Sequence, residues 1–269
     1  MLLWARDRIL PRYSLPMHFS SVCSCCFLPR RRFLAESLTL ATGAAAALVP
    51  APVRAQATCP APRPARLTIE ILNPEPLVDG TQSMRWLSDR LRRNARTWQR
   101  DPRFDRFIHA MGLTVTEWGT EISVAGLAGP RGERQCFVAT ELRVRFGLHA
   151  HLVFIASEIP RSSCLWRYVH AHEFRHVGVN REAIRAAAAL LSADIESLAR
   201  KGISTEGLTA EAAQQAALGH VHAAVRRAEQ TFNQRATRGH AAIDTPEEYD
   251  RASRACDGEA QRILRGARL

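Results

Sequence analysis

Apolar and polar residues alternate through much of the first half of the chain and recur at helical spacing through most of the second half. Leu67, Ile69 and Ile71 alternate with polar neighbours, which predicts a strand over Leu67 to Leu72. From Met84 to Trp98 the apolar positions follow a helical period, and Asp101-Pro102 supplies a cap and a first-turn proline for a second short helix ending near Gly112. A β-rich block follows: Leu113 to Val124, a Gly/Pro turn region at Gly126 to Gly132, then Phe137 to Phe146 and His151 to Ser157. In the middle strand Leu142, Val144 and Phe146 face one way and Arg143 and Arg145 the other, as a half-buried strand requires. The residues Gly147 to Ala150 predict a hairpin turn joining the last two strands.

After these strands the pattern is helical to the end. Trp166, Val169, Val177, Ile184, Leu191, Ile195 and Leu198 place one long helix over Cys164 to Arg200, ending at Lys201-Gly202 where glycine can take a left-handed cap. Thr209 to Arg238 is a second long helix, folded back antiparallel across a short loop. A third begins at Thr245-Pro246-Glu247-Glu248, an N-cap threonine, a first-turn proline and a capping-box glutamate, with Tyr249, Ala252, Cys256, Ala260 and Ile263 as its apolar face. Strands first and helices afterwards indicate an α+β fold with segregated layers. No internal repeat breaks the chain into further units.

The N-terminal residues change the picture of what the mature protein is. Arg30-Arg31-Arg32-Phe33-Leu34 match a twin-arginine export pattern, an apolar run from Leu38 to Val49 follows, and Val53-Arg54-Ala55 offers a small-residue cleavage site. Residues 1–55 are therefore expected to be a cleaved signal, with Met17 an alternative start, and residues 56–269 a single periplasmic or secreted domain with no stable membrane insertion. The net charge of +11 shrinks accordingly, because the signal carries seven arginines and two acidic residues. Basic and acidic residues are interspersed in what remains, which fits a solvated mixed surface and no nucleic-acid partner. Cys23, Cys25 and Cys26 leave with the signal; Cys59, Cys136, Cys164 and Cys256 remain, an even number that predicts two disulfides. The expected pairing is Cys136 with Cys164 and Cys59 with Cys256, with thiolate ligation of a metal as the rival use.

Chemistry enters with His172-Glu173-Phe174-Arg175-His176, an HExxH pentapeptide inside the first long helix. Residues four apart on a helix lie one above the other, so both imidazoles can reach one zinc ion while Glu173 stands beside it as general base. The reaction implied is hydrolysis of a polarised carbonyl, a peptide bond above all, with a peptide or protein as partner. Two rivals stay open: a non-catalytic metal-binding or envelope interaction domain, and an amidase acting on cell-wall peptides.

The string from Cys164 through His172 and His176 to Val177, with a hairpin before it and Tyr249-Asp250 beyond, resembles a group of uncharacterised secreted bacterial HExxH proteins assigned as zinc-dependent proteases. The likeness runs from about Cys136 to Gly258 and is specific around the motif helix. It implies a zincin-like fold, in which a small sheet lies over the motif helix and its edge strand pairs with an extended substrate; His151 to Ser157 is the expected edge. In such relatives a late Y-D-x-x-T-x-H-G segment recurs, where this chain has Tyr249-Asp250 and then Cys256-Asp257-Gly258 without a histidine. The third ligand is open in consequence. Glu196 has thermolysin-like spacing, but an unbroken helix would carry it about 30 Å from His176. The metzincin extension is absent, since positions 179 and 182 are Val179 and Glu182. A folded-back second helix leaves Asp257, His240 and Asp250 within reach, Asp257 being favoured. His149, His151, His170, His220 and His222 are expected in surface, turn or strand-end roles, and Tyr249 in packing on the third helix.

Overall fold

The computed structural model describes residues 2–9, 59–94 and 109–266. The twin arginines, the apolar run after them and the short helix expected from Asp101 lie outside these residues. A six-stranded mixed sheet is backed by helices: β1 (Leu2–Ile9), β2 (Arg66–Leu72), β3 (Leu77–Asp79), α1 (Met84–Asn94), β4 (Gly112–Arg131), β5 (Arg134–Ile155), α2 (Cys164–Lys201), β6 (Ser204–Gly207), α3 (Ala210–Ile243) and α4 (Pro246–Gly266). The α+β class follows the sequence pattern. No helix among the described residues is long and apolar enough to cross a membrane.

β4 and β5 form the spine, an antiparallel ribbon paired from Gly112↔Ile155 to Arg131↔Arg134. β2 and β3 add to β5 in parallel, β6 adds to it antiparallel at Gln135–Val138, and β1 pairs with the far side of β4 over Thr120–Leu127. The hairpin expected at Gly147 to Ala150 is not formed, because β5 runs straight through it. The ladder passes from Glu117↔Ala150 to Trp118↔Leu148, so His149 is the extra residue of a β-bulge. Gly147 is needed for close approach instead of a turn: at φ +141 a Cβ there would stand 2.1 Å from the Leu72 carbonyl oxygen of β2. The Gly126–Gly132 region is strand as far as Arg131, and only Gly132 and Glu133 turn the chain.

α2 is one unbroken helix. Ser163 Oγ accepts from the Trp166 amide at its start, and Gly202 caps its end with φ 75. Its C-terminal half packs with α3 on the sheet through Ile184, Leu191, Ile195, Val221, Val225 and their neighbours. Its N-terminal half packs with α1, α4 and the end of β5 in a second core around Leu165, Val169, Met84, Leu87 and Ile155. The HExxH residues lie where the two cores meet.

The four described cysteines form Cys59–Cys136 and Cys164–Cys256, a different pairing from the one expected and one that removes thiolate ligation. Helix length is the reason. Cys164 opens α2, whereas Cys136 pairs in β5 with Glu206, just past the other end of α2. A helix of 38 residues separates those ends by roughly 55 Å, so no bridge can join them. Cys256 instead lies where α4 breaks: Ala255 is extended and Cys256, Asp257 and Gly258 all take positive φ, which brings the Cys256 sulfur to the first turn of α2.

Candidate metal centre

α3 runs back along α2, so its C-terminal end returns to the level of the HExxH residues. His172 and His176 stand one turn apart on α2; His240 and Asp244 stand one turn apart on α3 and its C-cap and face them. His172 Nε2 and His176 Nε2 are 3.2 Å apart, Asp244 Oδ1 is 3.2 Å from His176 Nε2, and it is 3.3 Å from His172 Nε2. Ligand atoms about 2.0–2.1 Å from a tetrahedral ion stand roughly 3.3 Å from one another. This triangle matches three corners of such a tetrahedron, and the group could hold a metal ion. The three side chains are only 8–12% exposed, so water screens their interactions weakly.

Without an ion the triangle is held by charge. Burial favours a neutral His172, but its hydrogen bond to Asp244 and the nearby Glu173 outweigh this and raise its pKa. Burial opposes ionisation of Asp244 too, yet hydrogen bonds from His172 and His176 hold its carboxyl well below the usual carboxylate range. Tyr249 adds to this, its hydroxyl donating to Asp244 Oδ1 at 2.9 Å. The phenol therefore does more than pack on α4.

Glu173 lies between α2 and the start of β4. Thr114 Oγ1 donates to its Oε2 at 2.8 Å, and Gly112 lies against its Oε1 so closely that a Cβ would approach within 2.4 Å. Glu173 is 5% exposed, and desolvation raises its pKa against the opposing pull of His176 and His172.

A second layer surrounds the triangle. Glu248, in the first turn of α4, was expected to close a capping box; its amide does bond Thr245 Oγ1 at 3.2 Å, but its carboxylate turns to the site. It accepts from Arg175 and from Arg251 Nη2 at 2.6 Å, and lies 3.4 Å from His172 Nδ1. On the other side His176 Nδ1 meets His240 Nδ1 at 2.8 Å, and His240 Nε2 meets Asn180 Oδ1 at 2.9 Å. Burial, reinforced by His176, pushes the His240 pKa down to about 4.

Among the ligands proposed from sequence, His172 and His176 are brought together. Asp257 is not with them: it sits exposed on the break in α4, where its carbonyl accepts from Arg262. Asp250 also lies outside the triangle, and the His240 ring stands behind it, against His176 Nδ1. Sequence reasoning missed Asp244. The available signal was His240-x-x-x-Asp244, a helical repeat of four that mirrors His172-x-x-x-His176 on the antiparallel partner. His151 is a correction as well: it is a fully buried β5 residue 3.5 Å from Asn180 Nδ2, not a turn residue. His170 stacks between Trp166 and Phe174, off the ligand face as expected. Compared with protein families, curated proteins and solved structures, the chain matches none of them.

Proposed function

We propose that this protein is an exported zinc-dependent hydrolase of peptides, with His172, His176 and Asp244 as metal ligands and Glu173 as general base. The observation that carries the proposal is the buried triangle of ligand atoms 3.2–3.3 Å apart, with a buried glutamate next to one of the histidines on the same helix. Three protein ligands form the set of a catalytic zinc site, whereas closed structural sites use four. When bound, zinc supplies Lewis acidity and lowers the pKa of water toward 7.

The remaining work falls to the chain. Glu173 holds and moves a proton, and its desolvated carboxyl, raised above the usual value, is better matched to proton transfer near neutral pH than an exposed glutamate. Thr114 orients it from β4. Glu248 fixes the His172 ring from Nδ1, the side away from the triangle.

The expected substrate edge, His151 to Ser157, is interior at Leu152–Phe154, which pairs with β4 on one side and β3 on the other. We assign the edge to the start of β4 instead. On the side away from β5 no strand among the described residues pairs with Gly112–Val115, and Thr114 in this stretch touches Glu173. An extended peptide added there would lie beside the general base, the arrangement of a zincin-like enzyme. The two disulfides are compatible with an extracytoplasmic protein, the compartment to which a twin-arginine signal would deliver it.

The test is metal content of the oxidised chain from Gln56, with His172→Ala and Glu173→Gln variants. Near-stoichiometric zinc is expected in the wild type and in Glu173→Gln, and none in His172→Ala. Peptide hydrolysis should fall at least about a hundredfold in Glu173→Gln. A folded wild-type protein that takes up no zinc when supplied with it rules the proposal out.

A further inference from the structure

Behind His176 a line of polar side chains runs inward across three elements: His240 on α3, Asn180 on α2 and His151 on β5. His176 Nδ1 to His240 Nδ1 is 2.8 Å, His240 Nε2 to Asn180 Oδ1 is 2.9 Å, and Asn180 Nδ2 to His151 Nε2 is 3.5 Å. Asn180 is 3% exposed and His151 1%, so solvent does not supply alternative partners. None of the three is a corner of the ligand triangle.

A neutral imidazole gives a proton from one nitrogen and takes one at the other, so this line can run in only two senses. In the first, Asn180 Oδ1 accepts from His240 Nε2–H and His240 Nδ1 accepts from His176 Nδ1–H, so that once the proton His176 Nε2 shares with Asp244 in the metal-free protein has left, that nitrogen presents its lone pair to a metal. In the second, the Asn180 amide donates to His240 Nε2, His240 donates from Nδ1 to His176 Nδ1, and a neutral His176 must carry its proton on Nε2, where it blocks ligation. The structure places the amide oxygen of Asn180 toward His240 and its nitrogen toward His151, which is the first sense.

We infer that Asn180 is a positioning residue for the metal centre: through His240 it fixes the tautomer of His176 that leaves Nε2 free to bind a metal. This rests on His172, His176 and Asp244 being ligands, but the tautomer of His240 can be read without any metal. The two substitutions that separate the idea from a packing role are Asn180→Asp and Asn180→Leu. Aspartate can only accept from His240 Nε2–H and holds the first sense; leucine has the right size and can hold neither.

The experiment combines zinc affinity by chelator competition with long-range ¹H–¹⁵N spectra of the histidine rings at neutral pH. Expected are an Nε2-protonated His240 in the metal-free wild type and in Asn180→Asp, wild-type zinc affinity in Asn180→Asp, and a loss of about 10- to 100-fold in Asn180→Leu. An Nδ1-protonated His240 in the wild type overturns the inference, as does an Asn180→Leu protein that binds zinc as tightly as the wild type. Should the leucine variant fail to fold, the His240 tautomer in the other two proteins decides. Absence of zinc binding in the wild type would count against the hydrolase proposal alone, because the ring spectra of the metal-free protein still report the sense of the line.

Discussion

Replacing Asp244 by alanine is the substitution that most directly tests which residue completes the metal centre. The carboxylate is 8% exposed and its Oδ1 stands within 3.3 Å of both ring nitrogens, so its removal takes away one of three ligand atoms and the only anionic one. Structural zinc sites with four ligands bind with about 10–16 kcal/mol, which apportions roughly 2.5–4 kcal/mol to each ligand. Asp244→Ala should therefore weaken zinc binding by about two to three orders of magnitude. The metal-free protein should also lose stability, because the hydrogen bond that the Tyr249 hydroxyl donates to the Asp244 carboxylate at 2.9 Å goes with it, at a cost of about 1.5–3 kcal/mol. Asp257→Ala is the control: exposed on the break in α4, it should bind zinc within about twofold of the wild type. Competition against a chromogenic chelator, with cobalt(II) spectra as a check on coordination, gives both numbers. An Asp244→Ala protein that holds zinc within threefold of the wild type, while Asp257→Ala releases it, would refute the assignment.

Gly112→Ala would set a methyl 2.4 Å from Glu173 Oε1 and 2.7 Å from Val169, so a loss of about 1–3 kcal/mol in unfolding free energy is expected by denaturant titration, together with lower hydrolytic activity at unchanged zinc content. Removing the Cys164–Cys256 bridge, which closes a loop of 92 residues, should cost about 4 kcal/mol and lower the melting temperature without changing the first half of the sheet; an unchanged melting temperature would mean that α4 is held by packing alone. His151 and His240 are each pushed down to about 4 by burial, against 6.5 when exposed, so the unfolded state binds more protons between those values. Their contribution to stability is thus present above pH 6.5 and lost as pH falls toward 4, and His151→Leu should flatten the rise of melting temperature with pH over that window.

How much of the site was legible in the sequence depended on distance along the chain. His172, Glu173 and His176 were recognisable because a helix fixes residues four apart on one face whatever the rest of the protein does. The return of α3 to their level was also predictable, since two long helices joined by a short loop must run antiparallel. Asp244 was not found, because a C-cap aspartate before a new helix looks in sequence like ordinary punctuation. The disulfide partners failed for a related reason: four cysteines allow three pairings, and only the lengths of α2 and the break in α4 choose among them. The strands beside Gly147 were read as a hairpin because glycine signals a turn and a close approach with the same residue.

Sequence by itself determined the elements whose physics is local: the alternation of β2 and of the Phe137–Phe146 stretch, the glycine that ends α2, the start of α4, and two imidazoles and a glutamate held by one helix. Tertiary structure alone decided what lies opposite them. It placed Asp244 at the third corner, turned Glu248 from its own helix cap toward His172, and sank His151 and Asn180 behind His176. These pairings span roughly 30 to 80 residues of chain and are set by how α2, α3, α4 and β5 pack, where a shift of one helical position would replace each partner with another side chain.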